Sequence, residues 1–239
     1  MNLPQLNDRF VTTRDAMHQI AFYAIAPARY QVERRMGLRA TPGGFGTPQF
    51  DGRVARVEGV LLVHEQDGNT ATQNITTVRN AARFFGVDYV VHWFPEFRDP
   101  LTPVDPDEML DVDEEAALAL ADWFAFGFDV LEELRTHAVE GDEPSQVQLW
   151  PEHFDPATEM GDEGQGRRAS FGASPGDPNH DLPYLYVSAW GEIDRSNPYW
   201  NDPNFNGSSL GYEEIRSSPD PKATALEFLV VGYRILQSG

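Results

Sequence analysis

Cysteine is absent from all 239 residues. A disulfide framework, a thiol nucleophile and a cysteine-ligated zinc or iron–sulfur centre are therefore excluded, and cysteine usage says nothing about redox compartment. Lysine is almost absent too. Lys222 is the one exception among 18 basic residues, the others being arginine, against 38 acidic residues. The formal charge of −20 lacks the basic footprint that phosphate binding needs, so nucleic acid is not an expected partner. The same acidity suits a salt-rich setting, which concerns solubility rather than activity. Long hydrophobic runs are missing as well: the longest, near 116–131, is interrupted by Asp122 and Asp129. Residues 1–11 have neither the basic start nor the apolar run of a signal peptide, and a cytoplasmic protein without membrane association is expected.

What is present suffices for a sizeable core, since 41% of the residues are hydrophobic. Thr12 followed by Asp15 reads as an acidic capping box opening a helix over about 12–35, with a kink expected at Pro27. The Gly- and Pro-dense stretch 37–50 reads as a long loop. From Arg53 to Ile75, alternating apolar residues broken at Glu58-Gly59 and Asp67-Gly68 predict antiparallel strands. Thr76 then caps a short helix ending near Gly86, and 87–94 reads as a further strand before a Pro- and Asp-rich connector over 95–110. Asp111 with Glu114 predicts the start of a central helix over about 111–137. A second β region runs from Gln146 through a hairpin at 161–166 to Trp190; residues 191–218 read as an irregular surface excursion, and Asp220-Pro221 opens a last helix over 220–237. The expected class is α+β: antiparallel β segments, read as one sheet or two, covered by three main helices. The chain reads as one domain over 1–239, with 1–140 and 146–239 as alternative sub-units. Alternation of β and α is too irregular for a doubly wound parallel sheet.

Candidate chemistry concentrates in the second β region. If "QLWPEHFDP" is a strand, its period of two puts His153 and Asp155 on one face, about 6.5 Å apart. An imidazole beside a carboxylate serves as an acid–base pair or as ligands for zinc, manganese or non-haem iron. The loop carrying Asp177, His180 and Asp181 lies within reach if the next strand folds back; the same residues also make ordinary turn chemistry, Ser174-Pro175-Gly176-Asp177 being a good turn sequence. Tyr184, Tyr186 and Trp190 alternate on one strand face, an aromatic row that stacks on a flat ligand or simply fills a core. Arg39, beside the glycines of "RATPGGFGTP", is a candidate anion holder, although that stretch has neither GxGxxG nor a GK[ST] ending. No HExxH, calcium-loop or GxSxG pattern occurs, so no metal or cofactor is singled out.

Three segments, "WPEHFD" at 150–155, "SPGD" at 174–177 and "PYLYV" at 183–187, resemble the pattern of a largely actinobacterial family with no assigned activity. The resemblance covers about 40 residues and implies a recurring β unit, with no catalytic residue to carry over. Two functional readings follow. One is a small-molecule-binding protein or enzyme, with His153 and Asp155 as its chemical pair, Asp177 and His180 as contributors, and Tyr184, Tyr186 and Trp190 as walls. The other is an acidic protein-interaction module without catalysis, using Tyr199, Trp200 and Phe205 of the 191–218 excursion as anchors. The sequence does not fix the oligomeric state.

Overall fold

Turn chemistry and proline placement set most element boundaries. The computed structural model describes residues 3–94 and 104–238, so residues 95–103 of the connector lie outside the described residues. The chain divides into two compact units. The N-terminal unit comprises Gln5–Asp122 and Leu149–Phe154, and the C-terminal unit Met1–Pro4, Trp123–Gln148 and Asp155–Gly239.

The N-terminal unit opens with α1 (Phe10–Ile20), a π-helical turn (Ala21–Ile25) and α2 (Ala26–Glu33). The expected kink at Pro27 is not there. Proline sits in the first turn of α2, where a missing N–H costs nothing, and the irregularity lies one turn earlier. The Thr12–Asp15 box does not form either: α1 begins at Phe10, and the hydroxyl of Thr13 instead accepts a hydrogen bond from the Asp113 N–H at 3.0 Å. A five-stranded antiparallel sheet follows in chain order: β1 (Arg39–Thr41), β2 (Gly44–Gly46), β3 (Arg53–Glu58), β4 (Leu61–Gln66) and β5 (Asn69–Asn74). The 37–50 stretch is thus a hairpin rather than a loop. Gly44 and Gly46 permit it, because a Cβ at either would lie within 2.3 Å of β3.

Helix α3 (Val78–Phe84) is capped by Thr77, whose hydroxyl accepts from the Asn80 N–H, and packs on the buried π turn. Residues 87–94 form no strand. Their aromatics instead pack singly on a core of Phe22, Tyr23 and Val78, with Trp93 5.5 Å from Phe22 and Tyr89 5.1 Å from Tyr23. Helix α4 (Glu114–Arg135) is capped by Asp113, which accepts from the Ala116 N–H at 2.9 Å; the expected cap, Asp111, pairs with Arg9.

In the C-terminal unit a second antiparallel sheet has the order β10-β9-β8-β7, from β7 (Asp155–Met160), β8 (Ala169–Ser174), β9 (Tyr184–Ala189) and β10 (Gly207–Gly211); β6 (Gln148–Trp150) precedes them in the chain, with Leu149 and Trp150 in the N-terminal unit. Strand β10 and the short α5 (Tyr212–Arg216) occupy the stretch read as an irregular excursion, and α6 (Pro221–Ser238) closes the chain. One face of this sheet is core. Phe171, Ala173, Leu185 and Val187 are fully buried there. Gly127 of α4 lies so close to Ala173 that an added Cβ would come within 2.6 Å of it, and Gly232 of α6 is 3.0 Å from Val187 by the same measure. The Trp123 indole N–H donates to the Ala173 and Ser174 carbonyls at 3.2 and 2.9 Å.

The fold is therefore α+β with two antiparallel sheets rather than one; beside the three main helical regions it has α3, the short helix expected before Gly86, and α5, which lies in the stretch expected to be irregular. Among the described residues no helix is long and apolar enough to cross a membrane.

Candidate functional site

The expected His153–Asp155 pairing on a strand face is overturned. Pro151 ends β6, and residues 151–154 make a turn closed by Phe154 N–H to Trp150 C=O at 2.7 Å, with Phe154 in the left-handed region at φ 57°. The two-residue period is lost across that turn. His153 is exposed within it, in the N-terminal unit, while Asp155 is buried at the start of β7 in the C-terminal unit. The histidine built into this turn is His18 of α1, which the sequence reading did not single out. Its Nε2 lies 2.9 Å from the Pro151 carbonyl and therefore carries the hydrogen, and its ring stacks on Phe154 at 5.0 Å and 5°. Burial lowers its pKa to about 4, against the opposing carbonyl contacts of Pro151 and Glu152 and with help from the charges of His153 and Arg14. Arg39, also in the N-terminal unit, is exposed on β1, its Nε 3.4 Å from the Ala40 carbonyl.

The remaining predicted residues meet on the other face of the C-terminal sheet. Tyr184 and Tyr186 are two positions apart on β9 and share that face with Ser170, Gly172 and Ser174 of β8, to which β9 is paired in register. The Tyr186 hydroxyl donates to Asp155 Oδ2 and the Tyr184 hydroxyl to Asp177 Oδ2, both at 2.5 Å, with the two rings 6.1 Å apart. Gly172 makes the first contact sterically accessible, since a Cβ there would sit 2.4 Å from the Tyr186 ring and hydroxyl. Asp177 also accepts from the N–H groups of Asn179 and His180 at 2.6 and 3.0 Å, an Asx turn that holds the loop.

His180 lies between two carboxylates. Nε2 is 3.0 Å from Asp202 Oδ2, Nδ1 is 3.5 Å from Asp177 Oδ1, and the ring packs on Tyr184 at 4.3 Å. Asp202, whose side chain is only 1% exposed, is the partner that sequence reasoning missed. It lies 22 residues from His180 in the chain, and no local spacing announces the pairing. Asp181 is exposed. Trp190 follows β9 and is 48% exposed; its N–H donates to Ser170 Oγ at 3.0 Å, and Arg168 lies over its ring at 5.3 Å.

Burial and the adjacent carboxylates push both phenols well above their ordinary range: for Tyr184 burial leads, then Asp177; for Tyr186 burial leads, then Asp155. At neutral pH both are fixed donors, not bases. Burial works to raise the Asp177 pKa, but the Tyr184 hydroxyl and the Asn179 and His180 N–H groups outweigh it and hold the carboxylate below its usual range. Asp177 is thus the carboxylate of the cluster that hydrogen-bond donors hold in its charged form.

Comparison of the chain with protein-family models, with curated proteins and with solved structures returns no match. The site must be judged on its own chemistry. Among the described residues no group of three or more histidines and carboxylates converges to hold a metal ion. Two surface depressions lie elsewhere: one of about 610 Å³ bounded by Gln73, Asn80, Arg83 and Phe84, another of about 410 Å³ bounded by His137, Tyr233, Arg234 and Gln237. Neither is lined by a predicted site residue. The aromatics expected as interaction anchors are folded inward. Tyr199 stacks on Phe228 at 5.4 Å, Trp200 is buried, and Phe205 meets Tyr186 edge-on at 6.2 Å.

Proposed function

We propose that the C-terminal unit binds a small molecule on the tyrosine-bearing face of its sheet. One observation carries the reading: successive face positions of β9 each spend a phenol on a separate carboxylate, Tyr186 on Asp155 and Tyr184 on Asp177, at 2.5 Å. Clusters of buried titratable groups with strongly perturbed protonation concentrate at functional sites. The half-exposed indole of Trp190 at the end of the same strand supplies a stacking surface, and Ser170 a neighbouring hydroxyl. With the phenols held neutral and Asp177 held charged, the face favours a neutral polyhydroxylated or a cationic ligand, and the charge of −20 disfavours an anionic one. The role assigned to Asp155 is that of an acceptor fixed by Tyr186, and His180 is a positioning residue held between Asp177 and Asp202.

The test is a thermal-shift and ligand-observed NMR screen of neutral sugars, cationic amines and anionic nucleotides against the intact chain. Hits are expected among the first two classes. Trp190→Ala and Tyr186→Phe should each weaken a hit at least about tenfold, the loss of one good contact. Retention of full affinity in both variants, or hits confined to nucleotides, would dismiss the reading.

A further inference from the structure

Strand β5 ends one side of the N-terminal sheet, and its sequence, Asn69-Thr-Ala-Thr-Gln-Asn74, is exposed at every position. Edge strands present unpaired N–H and C=O groups, and proteins ordinarily protect them with lysine, proline, a bulge, a charge or a covering segment. The other sheet shows such protection. At its β10 edge the Asn201 side chain accepts from the Ser209 N–H at 2.9 Å and donates to the Ser209 C=O at 3.1 Å. At the opposite end of the N-terminal sheet, β1 is only three residues long. Strand β5 has six residues and, among the described residues, none of these devices.

Its register identifies the free groups. The two-residue turn Asp67-Gly68, at φ 49° and 81°, joins Gln66 to Asn69, and the paired series continues through His64↔Ala71 and Leu62↔Gln73 to Ile75 N–H on Val60 C=O at 3.0 Å. Hydrogen-bonded pairs alternate in an antiparallel ladder, so Asn69, Ala71 and Gln73 bond inward and the backbone groups of Thr70, Thr72 and Asn74 point outward. Among the described residues nothing hydrogen-bonds to those outward groups.

We infer that β5 is the pairing edge for a second copy of this chain, the two strands running antiparallel across a two-fold axis at Thr72. In a two-fold contact residue i meets residue j and j meets i, with only the residue on the axis meeting its own counterpart, so two chains of charge −20 avoid setting like charges together where the pairing strand carries no charged residue. Strand β5 meets that condition at every residue: Thr72 faces Thr72, and Thr70 faces Asn74 in both directions. Each facing pair exchanges both backbone bonds, and the two sheets become one. Pairing of backbone edges is a general recognition mode and needs no pocket.

The experiment is sedimentation of the full chain from low to high micromolar concentration at low and high salt. A dimer is expected whose affinity rises with salt, because salt screens the mutual repulsion while leaving the backbone bonds in place. Thr72→Pro removes an outward N–H without touching the inward ladder, and Thr72→Lys sets like charges together; each should return the monomer. Because the chain is free of cysteine, Thr72→Cys provides an independent readout that does not depend on how either variant folds. Mild oxidation or a short bis-maleimide should give a covalent dimer from it and none from a Ser217→Cys control. A monomer at every concentration and salt, absence of cross-linking at position 72, or a dimer undiminished in folded Thr72→Lys would overturn the proposal.

Discussion

His18 shows how one side chain sets a pH dependence for the molecule. Its folded pKa of about 4 lies below the ordinary 6.5, chiefly because burial penalises the charged ring. The unfolded chain therefore binds the extra proton more readily. The stability contributed by neutral His18 is complete above pH 6.5 and is lost as pH falls from 6.5 toward 4. The full shift corresponds to about 3 kcal/mol. The depressed carboxylates, Asp107, Asp113, Asp177 and Asp194, have ordinary values near 3.8 and lose their contribution only below that window. His64, lowered by burial and by Arg53, acts in the same direction as His18. Denaturation followed at pH 7, 6, 5 and 4.5 should show stability falling through this range. His18→Phe should be weaker at pH 7, having lost the bond to Pro151, but should flatten the slope. An unchanged slope in that variant would show that His18 is not the group responsible.

At the level of elements, legibility followed the physical origin of each signal. Helices α4 and α6 and the turns at Glu58-Gly59, Asp67-Gly68 and 161–166 are encoded by local periodicity and by dipeptides with special backbone angles, so they could be read directly. The β1–β2 hairpin was hidden because its glycines serve close contact with β3 rather than flexibility. The segment 87–94 alternates as a strand does, but a strand also needs a neighbour's ladder, and its aromatics are used one by one against Phe22 and Tyr23. In the site, the face shared by Tyr184 and Tyr186 was legible from the period of two. Their link to Asp155 was not, because it crosses β8 over Gly172. The stretch 191–218 reads as irregular from sequence, and the order of its residues 191–206 comes from contacts that no short window contains. Arg195 donates to the Asp202 and Phe205 carbonyls, both at 2.7 Å, and Asp202 in turn holds His180. Arg195→Ala should open this segment locally, with little change in global unfolding, since local opening draws on few contacts. Limited proteolysis should show new cleavage between 191 and 206 in the variant; an unchanged digestion pattern would mean that the Asn and Asp turns alone hold the segment.

For the whole molecule the dominant quantity is its charge. Its 38 acidic residues face 18 basic ones, so most carboxylates lack a cationic neighbour and repel one another across the surface. Attractive pairs do exist: Lys222 bridges Asp129 and Glu133 at 2.7 and 2.9 Å, and Arg56 joins Glu58 and Glu65 at 2.6 and 2.9 Å. Exposed pairs of this kind are worth about 0–1 kcal/mol each and are weakened by salt. Repulsion among the unpaired excess acts over a Debye length, about 10 Å at 0.1 M salt and about 3 Å at 1 M, and has no desolvation cost to offset its removal. Screening should therefore relieve more repulsion than it removes attraction. The melting temperature is expected to rise steadily with sodium chloride toward 1 M. A fall would mean that the ion pairs outweigh the acidic excess. Because pairing through β5 would also raise the melting temperature as salt strengthens it, the measurement belongs at a protein concentration where folded Thr72→Lys and the natural sequence sediment alike. A salt-dependent rise shared by both then isolates the charge of the single chain from its self-association.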